Sequence, residues 1–240
     1  MSVLKTVEAG LRKITLSPVI RPPVDFNAPN KELAVFAMRL YAYSSVAHIR
    51  TILGGLIVLD DAGNAPSAEL LCRHVFEWTA HASYMVSKLK PYVEQNQWVE
   101  AFAIVSNFNG ANSWIKQHGH KYGAAQIQLE APDAVRLKHW IKAYEKFRTE
   151  EYGTATVEDG YGYLSEHSHP SAACFLQYRD IRGAEIRFVQ PGNASRLPEL
   201  DHCMIDWLGL TYTILALAKE DTLRTAMLRI IEKVVTPIQS

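Results

Sequence analysis

The sequence has few cysteines, no long apolar run and no excess of charge of either sign. Its three cysteines are far apart and form no Cys-x-x-Cys pair, so we expect reduced, buried thiols and no disulfide framework. The longest apolar run, residues 51–59, is far shorter than the roughly 20 residues that span a bilayer. With 25 basic and 25 acidic residues the chain is neutral. Neutrality argues against a strongly electrostatic nucleic-acid binder but allows a local basic patch.

The common nucleotide-binding and hydrolase loops are also missing. The chain contains no Gly-x-Gly-x-x-Gly, no Gly-x4-Gly-Lys-(Ser/Thr) and no Gly-x-Ser-x-Gly. Its first residues carry no apolar signal region. We therefore expect a cytoplasmic protein that is not bound to a membrane and that uses no cofactor and no metal ion.

The apolar residues that are present recur mostly with helical spacing. They predict an all-α bundle of about seven helices with a small β-hairpin near residues 175–189. The predicted helices cover residues 30–59, 66–90, 92–106, 132–148, 157–167, 197–218 and 221–235, with Asn30 as the first N-cap and Pro91 as the end of the second helix. In the hairpin, Glu185–Val189 alternates polar and apolar residues and pairs with Phe175–Tyr178. Residues 1–30 form an N-terminal arm, and residues 31–240 form a single helical domain.

The second predicted helix carries a polar stripe on a largely apolar surface. Glu69, Arg73, Glu77 and His81 recur every four positions and therefore share one face. A helix that is apolar around most of its circumference lies inside a bundle, where charges need partners. Two interpretations stay open, a salt-bridged stripe at the solvent edge and an internal polar site.

A second unusual run, residues 161–171, crowds polar side chains together before a proline. It holds Tyr161, Ser165, Glu166 and His169. Pro170 disfavours helical geometry at the preceding residue, so the helix should end there and expose His169 to the negative end of its dipole. That dipole and Glu166 should raise the pKa of His169 above its unfolded value, which suits acid–base chemistry. The alternative is an imidazole that only caps terminal carbonyls.

Together the two runs resemble a bacterial domain family of unknown function. Its members carry an Arg-x3-Glu helix and, later, a Leu-(Ser/Cys)-Glu-x2-His-Pro-(Ser/Asn) segment. Here the corresponding motifs are Arg73-x3-Glu77 and Tyr161-x2-Leu164-Ser165-Glu166-x2-His169-Pro170-Ser171, and the similarity spans residues 66–175. The helical layout of the family resembles the HEPN class (higher eukaryotes and prokaryotes nucleotide-binding), which includes RNA-cleaving toxins and phage-defence proteins.

This resemblance implies a homodimeric domain that cleaves or modifies RNA without a metal ion, alone or with a partner protein of a toxin or defence system. Arg73 would bind a phosphate and the charge that develops on it, Glu77 would orient Arg73, and His169 would act as general acid or base. Tyr161, Ser165 and Glu166 would complete the site by hydrogen bonding.

The chain departs from the HEPN nuclease pattern, in which four to six residues separate an Arg from a later His on one helix. Only Arg196 and His202 have that spacing, and Pro198 interrupts them. Nuclease chemistry would therefore need Arg73 and His169 to meet across helices. We accordingly expect Arg73 and Glu77 to lie against residues 161–169.

Two alternatives to this interpretation remain. The cluster could serve a non-catalytic module that binds a small anion or a partner protein. Glu166-x2-His169 and Glu199-x2-His202 match the spacing of a di-metal carboxylate bundle, although prolines place both pairs at helix ends.

A basic stretch that contains Arg136, Lys138, Lys142 and Lys146 either contacts an RNA backbone or is a solvated helix face.

Overall fold

The architecture is an all-α bundle, as the sequence predicts. The structure is a computed structural model that describes residues 3–20, 22–23, 28–110, 137–153, 157, 161, 179–182, 185–188 and 197–236. Within these ranges seven helices are present: α1 (Val3–Arg12), α2 (Lys31–Asp61), α3 (Ala65–Glu94), α4 (Trp98–Gly110), α5 (Leu137–Tyr152), α6 (Leu197–Leu217) and α7 (Asp221–Val235).

Helix α2 begins where the sequence predicts. The side chain of Asn30 accepts a hydrogen bond from the backbone N–H of Leu33 at 3.1 Å, which confirms its role as N-cap. The helix ends at Asp61. Two residues later Gly63 has a φ of 68°, in the left-handed region, and the N–H of Asn64 bonds to the carbonyl of Leu59 at 2.8 Å. Because the side chain of Asn64 also caps α3, the two helices form a tight hairpin.

The prediction that the second helix ends at Pro91 is wrong. Helix α3 continues through Pro91 to Glu94, because a proline in the last turn removes only one intrahelical hydrogen bond. The turn comes at Asn96, which adopts a left-handed φ of 56° and lets the N–H of Gln97 bond to the carbonyl of Tyr92 at 2.8 Å. Asparagine tolerates this conformation better than most residues, so Asn96 was the stop signal.

Helix α5 also ends later than predicted. It continues past Arg148 to Tyr152 and stops at Gly153, whose φ of 69° again lies in the left-handed region. The predicted first residues of this helix lie outside the described part of the chain. Of the next predicted helix, Val157 and Tyr161 are described, and both have helical backbones.

Two four-residue segments pair as antiparallel strands, β1 (Arg179–Arg182) and β2 (Glu185–Phe188), with Ile181 opposite Ile186. Only two residues separate them in sequence, which is the commonest hairpin connection. The predicted partner of the second strand was Phe175–Tyr178, which lies outside the described residues. The hairpin predicted from the sequence is therefore not confirmed.

Helix α3 lies at the centre of the bundle, in contact with α2, α4, α5 and α6. Its small polar side chains bond to the neighbouring helices as well as to its own backbone. The hydroxyl of Thr79 lies 3.3 Å from the carbonyl oxygen of Cys203 in α6, and that of Ser83 lies 3.2 Å from the carbonyl oxygen of Ala143 in α5. The prediction that this helix lies inside the bundle is confirmed.

Helix α1 shares the core with the helices that follow residue 30. It contacts α2, α6 and α7, and its Leu4, Val7 and Leu11 are buried. Asp201 of α6 accepts a hydrogen bond from the N–H of Leu4 at 3.3 Å and so caps the first turn of α1. The division of the chain at residue 30 stays a prediction, but this part of the predicted arm is a packed helix.

Helix α2 is long and apolar enough to cross a membrane by length and composition alone. Its most apolar 18-residue window has a mean hydropathy of 1.4, and 39% of that window is buried within the protein. The prediction of no spanning segment counted only uninterrupted apolar runs and missed this window. The core helix of a soluble protein passes the same test, and the structure is compatible with such a protein.

The contact between α1 and α7 has no room for an additional methyl group at Gly10. A Cβ placed there would lie 2.7 Å from Cγ1 of the buried Ile230. We expect Gly10→Ala to lower the free energy of unfolding by about 1–2 kcal/mol, because overpacking outweighs the gain in helix propensity. The matched control is Gly209→Ala in α6, where no atom lies within 4 Å of the new Cβ and stability should rise slightly. Urea denaturation of both variants measures the difference, and a stabilised Gly10→Ala would contradict the packing of α1.

Candidate functional site

Arg73 and Glu77 form an ion pair on one face of α3. They are four residues apart, and Nε of Arg73 donates to Oε1 of Glu77 at 2.8 Å. Their side chains are 20% and 21% exposed, so the pair lies at the edge of the bundle, within reach of solvent. This position combines partial desolvation with access for a ligand.

Tyr161 completes a cluster with this pair from far along the sequence. An η-nitrogen of Arg73 donates to the Tyr161 hydroxyl at 3.1 Å, and this hydroxyl donates to Oε1 of Glu77 at 3.4 Å. Cζ of Arg73 also lies 5.5 Å from the centre of the Tyr161 ring, within cation–π range. The expectation that Arg73 and Glu77 lie against residues 161–169 is confirmed for Tyr161. We call these three residues the Arg73 cluster.

The electrostatics of the Arg73 cluster keep its arginine charged and its tyrosine neutral. Burial acts to lower the pKa of Arg73, but the hydrogen bond and charge of Glu77 outweigh it and raise that pKa. Burial, assisted by the charge of Glu77, raises the pKa of Tyr161. The cluster therefore presents a fixed guanidinium and a phenol that can donate a hydrogen bond, a combination that binds anions rather than abstracts protons.

The other predicted site residues fall into two groups. Ser165, Glu166 and His169 lie outside the described residues, as does Arg136. Lys138, Lys142 and Lys146 are described and are exposed on α5, where Lys146 lies 3.6 Å from Glu150 in an exposed ion pair. The structure therefore brings Tyr161 to Arg73 and Glu77 and places the three lysines on a solvated helix face.

The two ends of the polar stripe do not join the Arg73 cluster. Glu69 is buried one turn before Arg73. His81 is buried one turn after Glu77, where its Nδ1 shares a hydrogen bond of 2.9 Å with the hydroxyl of Tyr41 and its ring lies 4.6 Å from that of Trp140. The stripe is thus internal at both ends and partly exposed in the middle.

A second cluster, which the sequence patterns did not indicate, surrounds the carboxylate of Asp206 in α6. Oδ2 of Asp206 accepts hydrogen bonds from the hydroxyl of Tyr144 at 2.7 Å and from Arg148 at 3.0 Å. Oδ1 accepts one from the hydroxyl of Tyr152 at 2.9 Å. The donors recur every four residues along α5, and this spacing was the available signal. We call these four residues the Asp206 cluster.

Phe76 of α3 lies between the two clusters. Its ring centre is 5.7 Å from that of Tyr161 and 5.6 Å from that of Tyr144. The Asp206 carboxylate is only 2% exposed, whereas the Arg73 pair is ten times more exposed. The Asp206 cluster therefore fixes α5 on α6, and the Arg73 cluster remains accessible.

Metal and thiol chemistry find little support among the described residues. No group of three or more His, Cys, Asp or Glu side chains in that part of the chain is arranged to hold a metal ion. Cys72 and Cys203 are buried, and burial raises the pKa of Cys72 to about 12. A thiol with such a pKa is protonated at neutral pH and is a weak nucleophile.

The difference in burial predicts different stabilities for two conservative variants. We expect Asp206→Asn to lower the free energy of unfolding by about 3 kcal/mol or more, because it breaks the ion pair of a buried carboxylate that accepts three hydrogen bonds. Glu77→Gln should cost at most about 1 kcal/mol, because its pair is partly solvated. Urea denaturation at pH 7 measures both values. Equal costs would contradict the assignment of one cluster to stability and the other to ligand access.

The buried His81 predicts a loss of stability in mild acid. Burial lowers its pKa from 6.5 to about 3, so only the unfolded chain takes up a proton here as the pH falls below 6.5. The contribution of the neutral, buried His81 to the free energy of unfolding is complete above pH 6.5 and decreases below it. The decrease is about 2 kcal/mol between pH 7 and pH 5. His81→Gln should remove this part of the pH dependence. Urea denaturation at both pH values tests it, and an unchanged dependence in the variant would contradict the assignment.

Comparisons with known protein families, with curated proteins and with solved structures find no match to this chain. The candidate site therefore rests on the geometry of Arg73, Glu77 and Tyr161. The resemblance drawn from the sequence motifs remains an expectation.

Proposed function

We propose that the chain is a HEPN-like helical domain that cleaves or modifies RNA without a metal ion, as part of a toxin or defence system in the cytoplasm. The observation that carries the proposal is the Arg73 cluster, in which a guanidinium is held by two partners at the partly exposed edge of the bundle. Such a guanidinium can bind a phosphodiester and the charge that develops on it during cleavage.

In this proposal each member of the Arg73 cluster has a distinct role. Arg73 binds the phosphate at the partly exposed edge of the bundle, through the positive charge of its planar guanidinium. Glu77 fixes the plane of the guanidinium through its bond to Nε. Tyr161 donates a hydrogen bond and stays protonated, because burial and Glu77 raise its pKa. The Glu77 carboxylate is bonded to Arg73 and Tyr161, so the proton transfer is assigned to His169.

His169 is the proposed general acid or base, with Ser165 and Glu166 beside it. The described Lys138, Lys142 and Lys146 would contact the RNA backbone together with Arg136, and their exposure on α5 supports that role. The domain acts as a homodimer, carries a small hairpin near residues 175–189, and works alone or with a partner protein.

A non-catalytic module is the second candidate function. The supporting observation is that Arg73 already has Glu77 and Tyr161 as partners, an arrangement that also pins two segments of the bundle together. In that case the cluster binds a small anion or none, and the function lies in association with another protein. A di-metal carboxylate bundle built on Glu166, His169, Glu199 and His202 is less favoured, because Glu199 lies in the first turn of α6.

The test is cleavage of a mixed RNA pool by purified protein, with and without EDTA. We expect cleavage that EDTA does not inhibit and that falls 10²- to 10⁴-fold, as an order-of-magnitude estimate, in His169→Ala. Arg73→Lys should reduce it as well, because lysine cannot hold Glu77 and a phosphate in one plane. The matched control is Arg229→Lys, an exposed arginine of α7.

Each contrary outcome points to one alternative. Inhibition by EDTA together with loss of activity in His202→Ala would favour the di-metal bundle. No cleavage by the wild-type protein, with an Arg73→Lys variant that is folded but less stable, would favour the non-catalytic module.

A further inference from the structure

Tyr152 is an exposed aromatic side chain that is nevertheless held in place. It ends helix α5 and is 52% exposed. Among the described residues it is the one aromatic side chain in the set of exposed large apolar residues. Its hydroxyl donates to the buried Oδ1 of Asp206 at 2.9 Å. Burial and Asp206 raise its pKa to about 12, so the phenol stays uncharged at neutral pH. A ring fixed in this way loses little further freedom when a ligand binds to it.

The neighbours of Tyr152 leave part of its ring open. Cζ of Arg148 lies 5.1 Å from the ring centre, and the Phe147 ring meets it edge to face at 6.3 Å. Despite these contacts, about half of Tyr152 remains exposed to solvent. Oδ2 of Asp206 accepts from one η-nitrogen of Arg148, so the guanidinium keeps further donors beside the ring.

The charges around Tyr152 are nearly balanced. Lys142 and Lys146 are exposed on the same helix, but Glu150 and Glu151 lie next to the tyrosine and Arg148 is paired with Asp206. A ligand that relied on charge alone would gain little binding free energy next to Tyr152. A ligand with a planar face and a single phosphate would use both the ring and the guanidinium.

We propose that Tyr152 and Arg148 form a nucleotide subsite, in which a base of single-stranded RNA stacks on the open side of the Tyr152 ring and its phosphate contacts Arg148. This subsite rests on the proposed RNA function and extends it, because the buried Phe76 ring contacts Tyr161 of the Arg73 cluster and Tyr144 of the Asp206 cluster, so the two clusters are neighbours in the bundle. Stacking on an aromatic side chain tolerates any base, so the subsite selects single strands rather than a sequence.

The experiment measures binding of a short single-stranded RNA that carries one 2-aminopurine, with wild type, Tyr152→Phe and Tyr152→Leu. The Phe variant keeps the ring and loses the bond to Asp206, and the Leu variant loses the ring. We expect Tyr152→Leu to weaken RNA binding at least about fivefold and to abolish the quenching of 2-aminopurine fluorescence. The Tyr152→Phe variant should retain the quenching. The dependence of log Kd on log salt should have the same slope in all three proteins, because no phosphate contact is removed.

The matched control is Tyr212→Leu, which removes another tyrosine beneath an arginine, Arg224, on a different face of the bundle. It should bind like wild type. Equal binding and quenching by Tyr152→Leu and wild type would overturn the subsite and leave RNA cleavage at the Arg73 cluster standing. Equal loss in the Phe and Leu variants would also overturn it, because the bond to Asp206 and not the ring would then matter. Absence of RNA binding by the wild-type protein would overturn both proposals.

Discussion

Helix α3 is covered by four other helices, and every polar group on it must therefore find a partner inside the bundle or reach the edge. Thr79 and Ser83 bond to backbone carbonyls of α6 and α5. His81 turns into an aromatic pocket and shares a hydrogen bond with Tyr41. Arg73 and Glu77 lie partly exposed at the edge of the bundle, where Tyr161 approaches. The position of the candidate site follows from this constraint, because one stretch of the central helix is left partly uncovered.

The two arginine clusters have similar parts and different consequences. Each joins an arginine, a carboxylate and at least one tyrosine, yet the carboxylate of one is sealed from solvent and that of the other is not. The Asp206 carboxylate accepts from three donors out of reach of solvent, so it serves packing and orientation. The Glu77 carboxylate is paired with Arg73 at the edge of the bundle, where solvent reaches both side chains. The exposure of the carboxylate, and not the composition, distinguishes the two clusters.

Sequence patterns predicted what depends on neighbours within one helix. The N-cap at Asn30 and the internal position of α3 follow from local spacing, and both are confirmed. The helix end at Pro91 was misplaced, because the left-handed conformation of Asn96 depends on backbone geometry that a proline signal does not report. Asp206 was missed for a different reason. Its partners lie on another helix, and no periodicity within α6 indicates them.

The cap that Asp201 supplies to α1 has a consequence for the order of assembly during synthesis. The two bonded residues, Leu4 and Asp201, are 197 positions apart, and α1 also packs on α7. At a bacterial or eukaryotic elongation rate, α6 leaves the ribosome roughly 10–40 s after α1. Of the three described helices that α1 contacts in the folded protein, α2 is the one that has been synthesised during that interval. Its apolar face, with Leu4, Val7 and Leu11, stays incompletely covered until the last third of the polypeptide has been translated.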